Sequence, residues 1–282
     1  MVVIGVCGIT GTQGGAVSSI FNKNGDKVIG ITRNPDSKKS KELLTNGIEL
    51  RKGDFDNTES LTNIFNDCEA VFIVTNFWEH MDSKREYQQG KNLIDSAYKC
   101  GVKHIIWTTL EDTRKYNDTI PYIGDYKVPH FDEKGKLSDY LNTLNINSTH
   151  LYTSFFYENF TGLMKLKKDN DGVRRLCMPM NESLLPIVSV INIAKITYYV
   201  VNNKIYGHIL SETFDEPVEY VNVPPNVYRS FGFPGCEDLG NMFEFKVIHN
   251  DSFCRMRDMS IVKSRITPLS FKEWCNDNKH LL

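Results

Sequence analysis

The sequence predicts an α/β fold: a doubly wound parallel sheet followed by a smaller C-terminal α+β lobe. Three observations point there. Apolar β-branched runs alternate with segments of helical periodicity through roughly the first 150 residues. A glycine-rich turn, GVCGITGTQGGAV, follows directly on the first of those runs. Later the pattern loosens, and prolines (Pro179, Pro186, Pro217, Pro224, Pro225, Pro234), asparagines and aromatics become commoner, with no linker between the halves. The expected division is 1–153 for the parallel-sheet half and 154–282 for the second lobe, folded as one unit.

Each element has its own warrant. Strands are expected at Val2 to Val6, Lys27 to Thr32, Ile48 to Arg51, Ala70 to Thr75 and His104 to Thr109. Between them Ala16, Val17, Ile20 and Phe21 make one helical stripe, and Leu61, Ile64, Phe65 and Cys68 repeat the i, i+3, i+4, i+7 spacing of a second helix. Strand and helix in turn give βαβαβ order, hence a parallel sheet. Leu184 to Val201 is long and apolar, but Pro186, Asn192 and Lys195 interrupt it, and the lysine alone would cost roughly 2 to 3 kcal/mol in hydrocarbon. It reads as a core strand followed by a buried helix. Ser270-Phe271-Lys272-Glu273 is a capping box opening a last short helix, with Phe271 and Trp274 on one side.

Composition narrows the functional classes. Of the 282 residues 40% are hydrophobic and 24% charged, with net charge -2, so no global field draws nucleic acid or a membrane surface. The lysine runs at Lys38, Lys39 and Lys41, and at Lys165, Lys167 and Lys168, read as solvated helix faces. Seven scattered cysteines without a C-x-x-C pair suggest neither a disulfide framework nor a metal site. Gly5 and Gly8 break any apolar leader, so a cytosolic setting, with the nucleus as a second compartment, is expected, and N-x-S/T triplets such as Asn117-Asp118-Thr119 go unglycosylated.

The glycine turn has a physical purpose in this context. A strand that turns tightly into a helix presents unpaired backbone N–H groups and the positive end of the helix dipole, where a phosphate can sit if no side chain blocks it. Gly8 permits the turn, Gly11 admits a pyrophosphate, and Gly14 or Gly15 lets the helix lie close on the strand. Thr10, Thr12 and Gln13 fall in the same turn. About 20 residues on, an NAD site offers a carboxylate to the ribose. Here the second strand ends Thr32-Arg33-Asn34-Pro35, and a guanidinium there suits the 2′-phosphate of NADP. Asp54 and Phe55, and Thr75, Asn76 and Phe77, end the third and fourth strands on the same carboxyl edge. The expected cofactor is therefore NADP, as NADPH or NADP+, on a Rossmann domain.

These residues resemble the NmrA-like family, the atypical short-chain dehydrogenase relatives that bind NADP(H), and among them the animal redox-sensor type. The likeness rests on Gly8 to Gly15, Thr32 to Pro35, Phe72 to Glu79, His130 to Gly135, Phe156 to Asn159, Gly232 to Gly235 with Leu239 to Phe243, and Leu269 to Trp274. It implies that NADP lies in a cleft, Arg33 grips the 2′-phosphate, Thr75 to Phe77 line its path and Lys134 reaches the ribose or nicotinamide. Phe156, Tyr157 and Asn159 would pack near the nicotinamide. One departure is visible: between about Ile205 and Tyr228 the chain is too short for a helix that the resemblance leads one to expect.

Turnover is the open question. Active short-chain dehydrogenases use a tyrosine acid four residues before a lysine, with a serine to orient the carbonyl. Here the lysine is Lys134 and the earlier position is His130. Tyr87-Gln88-Gln89-Gly90-Lys91 is a literal Y-x-x-x-K, but it precedes the fifth strand and is read as a decoy. The leading expectation is therefore no catalytic residue, and a protein that reports the NADPH/NADP+ ratio to a protein partner, or as a homodimer, through the loops Asn34 to Lys39 and Asp112 to Val128. The alternative is an NADPH-dependent reductase of a small quinone or aromatic compound, with Lys134 as general base, His130 shuttling a proton, and Thr108 or Thr109 replacing the serine.

Overall fold

The computed structural model describes residues 1–162, 164–165, 168–181, 183–201, 218–250, 252–253 and 269–281. Its first strands are β1 (Val3–Val6), β2 (Lys27–Thr32), β3 (Glu49–Lys52), β4 (Ala70–Ile73), β5 (His104–Thr109) and β6 (Asn147–Tyr152). They form a six-stranded sheet in the order β3-β2-β1-β4-β5-β6, parallel at every pairing. Strand order reverses beside β1, the switch point at which ligands of doubly wound sheets bind. Four of the first five strands are buried along most of their length, and the near-continuous Val/Ile content follows from that.

Helices α1 (Thr12–Lys23), α2 (Lys38–Thr45), α3 (Ser83–Lys99) and α4 (Pro129–Asn142) separate the strands. Val17 and Phe21 of α1, Leu93, Ile94 and Ala97 of α3, and Leu137 and Leu141 of α4 are buried, whereas α2 buries only Ser40. The helix expected over 61–68 does not form. The chain there runs through successive turns with i→i−3 hydrogen bonds, Leu61 N to Thr58 O, Ile64 N to Leu61 O and Cys68 N to Phe65 O. Asn63 and Asp67 adopt φ of 60° and 68°, left-handed values that an α-helix cannot contain. The four apolar side chains are nonetheless buried in the main core, so the spacing reported burial rather than helix.

By Cα proximity the chain forms two compact units. One comprises Met1–Asp112, Glu133–Thr153 and the described part of Ile193–Tyr206; the other holds Thr113–Asp132, Ser154–Asn192 and the described residues after 207. Helix α4 and the later helix α5 (Val190–Val201) each carry residues of both units.

The second unit is α+β. Two short parallel pairs, β7 (Phe155–Phe156) with β9 (Ile187–Val188) and β8 (Arg174–Met178) with β10 (Val218–Asn222), accompany α6 (Pro225–Arg229), α7 (Cys236–Ile248) and α8 (Phe271–Asp277). The strand and helix expected within Leu184 to Val201 are β9 and α5. The capping box closes α8 as expected: Glu273 N donates to Ser270 Oγ at 3.1 Å and Ser270 N to Glu273 Oε2 at 2.7 Å. Phe271 and Trp274 stack with ring centroids 5.9 Å apart. Residues 202–217, most of the stretch expected to lack a helix, lie outside the described residues, as does Lys167. Lys165 and Lys168 are exposed but not helical.

Candidate functional site

The turn after β1 is built by steric necessity. Gly8 sits at φ +61°, and a Cβ on Gly14 would lie 2.4 Å from the Gly8 carbonyl oxygen. That contact lets the start of α1 press against the turn, and only glycine permits it. Gly11 N donates to Gly8 O at 2.9 Å, and Gly11 heads α1 without any side-chain cap. Buried Gln13 Oε1 has no hydrogen-bond partner among the described residues. Gly11 and Thr12 are exposed. An uncapped helix start beside a turn with glycine at positions 8, 11 and 14 fits a phosphate.

Around this turn stand groups from neighbouring strand ends. Arg33, after β2, pairs with Glu79 at 2.6 Å, in the 3₁₀ turn after β4. Because β2 and β4 flank β1, this ion pair spans the end of β1 where the glycine turn lies. Asn34 is exposed and its side chain accepts from Asp36 N. Lys39 places its ammonium 3.2 Å from the Thr10 carbonyl, so one member of the run read as a solvated face touches the turn itself. Asp54 receives Asp56 N in a local turn, and Phe55 packs on the core. Thr75 and Phe77 are buried, Asn76 exposed.

Lys134 lies in α4 with its ammonium donating to Thr75 Oγ1 at 2.6 Å and to Glu86 Oε1. Thr75 Oγ1 in turn donates to the same carboxylate at 2.8 Å. Glu86 is fully buried and its Oε2 has no hydrogen-bond partner among the described residues. The Thr75–Glu86–Lys134 triad joins β4, α3 and α4. Sequence reading missed Glu86, although its place one turn into a helix facing the sheet, among otherwise polar neighbours, is the available signal.

The other members of the dehydrogenase set are occupied. His130 Nδ1 donates to Asp238 Oδ2 at 2.6 Å, and both residues are buried. Thr109 Oγ1 contacts Lys134 O, Leu110 O and Ser138 Oγ, while Thr108 Oγ1 donates to Ile73 O. Of the decoy, Lys91 binds Asp95 at 2.7 Å and Tyr140 Oη at 3.2 Å, and Lys136 sits over the Tyr87 ring.

In the second unit Tyr157 is buried between Phe271 and Trp274, with centroids 4.9 and 5.7 Å away, and burial pushes its phenol up. Its aromatic ring serves packing. Phe156 is half-buried in β7, and the Asn159 carbonyl accepts from Gly162 and Met164. The segment 113–128 is tied at both ends: buried Asp132 accepts from Thr113 N, Thr113 Oγ1, Lys127 N and Val128 N. Asp118 holds Lys127 at 2.9 Å and His249 at 2.8 Å. Among the described residues six cysteines are free, no cluster of His, Cys, Asp or Glu could hold a metal ion, and no helix is long and apolar enough to cross a membrane.

A parallel sheet of order 3-2-1-4-5-6 with a glycine turn opening α1 at its switch point defines a Rossmann-type fold. The model of the NmrA-like family matches residues 2–211, and the chain belongs to that family. It is similar to an NmrA-like family domain-containing protein of Dictyostelium discoideum, 31% identical over 58% of this chain and 55% of that protein. It is also similar to an NmrA-like family domain-containing oxidoreductase, FrzB, of a Cladobotryum species, 35% identical over 56% and 48%. The matches span about half the length of these curated relatives. Among solved structures, NmrA, a negative transcriptional regulator in complex with NADP, superposes with a TM-score of 0.70 at 20% identity over 88% of this chain and 82% of that one. The Citrobacter sp. triphenylmethane reductase complexed with NADP(H) gives 0.69 at 19% identity over 98% and 99%. Both likenesses concern the fold.

Proposed function

We propose that this chain binds NADP(H) at the glycine turn and acts as a redox-sensing regulatory protein without turnover. The observation that carries this reading is the fate of the proton-transfer set: His130 stands where an acid tyrosine is required and its Nδ1 is committed to Asp238, while Lys134 is held by Glu86 and Thr75. A bound nicotinamide supplies hydride, but these residues offer a carbonyl substrate no tyrosine hydroxyl. Gly8, Gly11 and Gly14 would cradle the pyrophosphate and Arg33 the 2′-phosphate. NADP complexes of two solved proteins of this fold support the cofactor. Sensing requires that cofactor favour one of two conformations, since equal affinity for both shifts nothing. The reading keeps the cytosolic, and secondarily nuclear, setting and a protein partner or second copy as the receiver.

A second reading, NADPH-dependent reduction of a quinone or aromatic compound, is favoured by the oxidoreductase names of fungal relatives and by the His130–Asp238 pair, which would fix one imidazole tautomer. Steady-state NADPH consumption against a panel of quinones and aldehydes separates the two. The sensor reading expects binding without sustained consumption; turnover abolished by Lys134→Ala would replace it with the reductase reading.

A further inference from the structure

We propose that Glu79 sets the preference between phosphorylated and unphosphorylated dinucleotide, by forming with Arg33 an internal ion pair that NADP(H) must open and NAD(H) leaves closed. The inference rests on the reading that dinucleotide binds at the glycine turn, and adds a residue to that site.

Position comes first. Strand β2 ends beside the adenosine ribose in this architecture, and there the chain places Arg33 instead of a carboxylate. A carboxylate is present all the same, delivered from the other side of β1: Glu79 lies 2.6 Å from the Arg33 guanidinium. Both side chains are open to solvent, at 54% and 43% exposure, so an incoming ligand can reach either. Their salt bridge therefore sits on the approach to the ribose rather than in the core.

Chemistry then divides the two ligands. The ribose 2′-hydroxyl of NAD(H) is a hydrogen-bond donor, which a carboxylate accepts and a guanidinium, having no acceptor, does not. With Glu79 in place such a ligand meets its acceptor and the ion pair survives. The 2′-phosphate of NADP(H) is an anion that matches the guanidinium fork and is repelled by the carboxylate. It must displace Glu79 from Arg33. Lys39, whose ammonium already lies on the Thr10 carbonyl, supplies a second cation to the same turn. Glu79 thus works against the preference that Arg33 creates, and the measured discrimination is the difference between them.

The test is titration calorimetry with NADPH and NADH on the full chain, wild type, Glu79→Gln, Arg33→Met and the double variant, with folding checked by thermal melting. Glu79→Gln should tighten NADPH by roughly threefold to fivefold, the exchange factor of an exposed ion pair, and loosen NADH. In the Arg33→Met background the same substitution should tighten NADPH by less than in wild type, because the pair to be opened is gone and only the direct repulsion of the 2′-phosphate by the carboxylate is removed. NADPH bound by the wild type with an NADPH/NADH ratio unmoved by Glu79→Gln overturns the role of Glu79 and leaves the cofactor reading standing. Failure of the wild type to bind either dinucleotide overturns both.

Discussion

The Lys134 ammonium donates to the carboxylate of Glu86, a residue with no exposed surface, while Lys134 itself keeps 12% of its side chain accessible. Buried charge of this kind is stable only while both partners remain. Glu86→Ala should cost about 3 kcal/mol or more of folding free energy, read from urea unfolding. Replacing both partners with apolar residues, Glu86→Leu with Lys134→Met, should recover a large part of that loss. A Glu86→Ala chain as stable as wild type would show that the triad is not closed in solution.

The close approach of Gly14 to Gly8 makes a second prediction. Gly14→Ala drives a methyl into the Gly8 carbonyl oxygen at 2.4 Å, so α1 must shift from the turn. Stability should fall by about 1 to 3 kcal/mol, as for overpacking elsewhere, and NADPH affinity by more than about tenfold. Unchanged NADPH fluorescence titration would contradict the placement of the pyrophosphate.

Two histidines give the pH dependence. Burial lowers the pKa of His104 in β5 and of His150 in β6, the latter against the pull of Asp139. Their folded-state values lie below the unfolded value of about 6.5. The stability they contribute is thus fully present above pH 6.5 and is lost as the pH falls through the folded values. Thermal melts between pH 7.5 and 5 should show a decline that the double variant His104→Asn/His150→Asn reduces. An identical slope in the variant would refute the assignment.

At the far end of the chain, Ser270→Ala removes the acceptor for Glu273 N at the start of α8. About 1 kcal/mol should be lost, with Glu273→Ala giving a comparable effect because the two bonds are reciprocal.

How far these features were legible in the sequence depended on whether they were local. The strands from β1 to β5 and the closing capping box were readable because each is decided within a few neighbours. The segment at 61–68 reads as a helix because burial of Leu61, Ile64, Phe65 and Cys68 imposes the same spacing on turns as on a helix, and the short polar residues Asn63 and Asp67, the types that tolerate left-handed backbone, mark the breaks only weakly. Strand β6 escaped notice because its first four residues are polar, Asn147 exposed and Ser148, Thr149 and His150 only part-buried, at a sheet edge. Of the site, the glycines and Arg33 announce themselves through spacing. Glu86, Glu79 and Asp238 do not, since their partners lie 48, 46 and 108 positions away and only folding brings them together.

In the function proposed above, Arg33 directs an NADP-type dinucleotide to the glycine turn. The most direct measurement of that role is the calorimetric affinity of the wild-type chain for NADPH, NADP+, NADH and NAD+, repeated with Arg33→Glu. Wild type should bind the phosphorylated pair more tightly, and the variant should lose that margin. Equal affinity for all four in wild type, or a margin that survives the charge reversal, would contradict it.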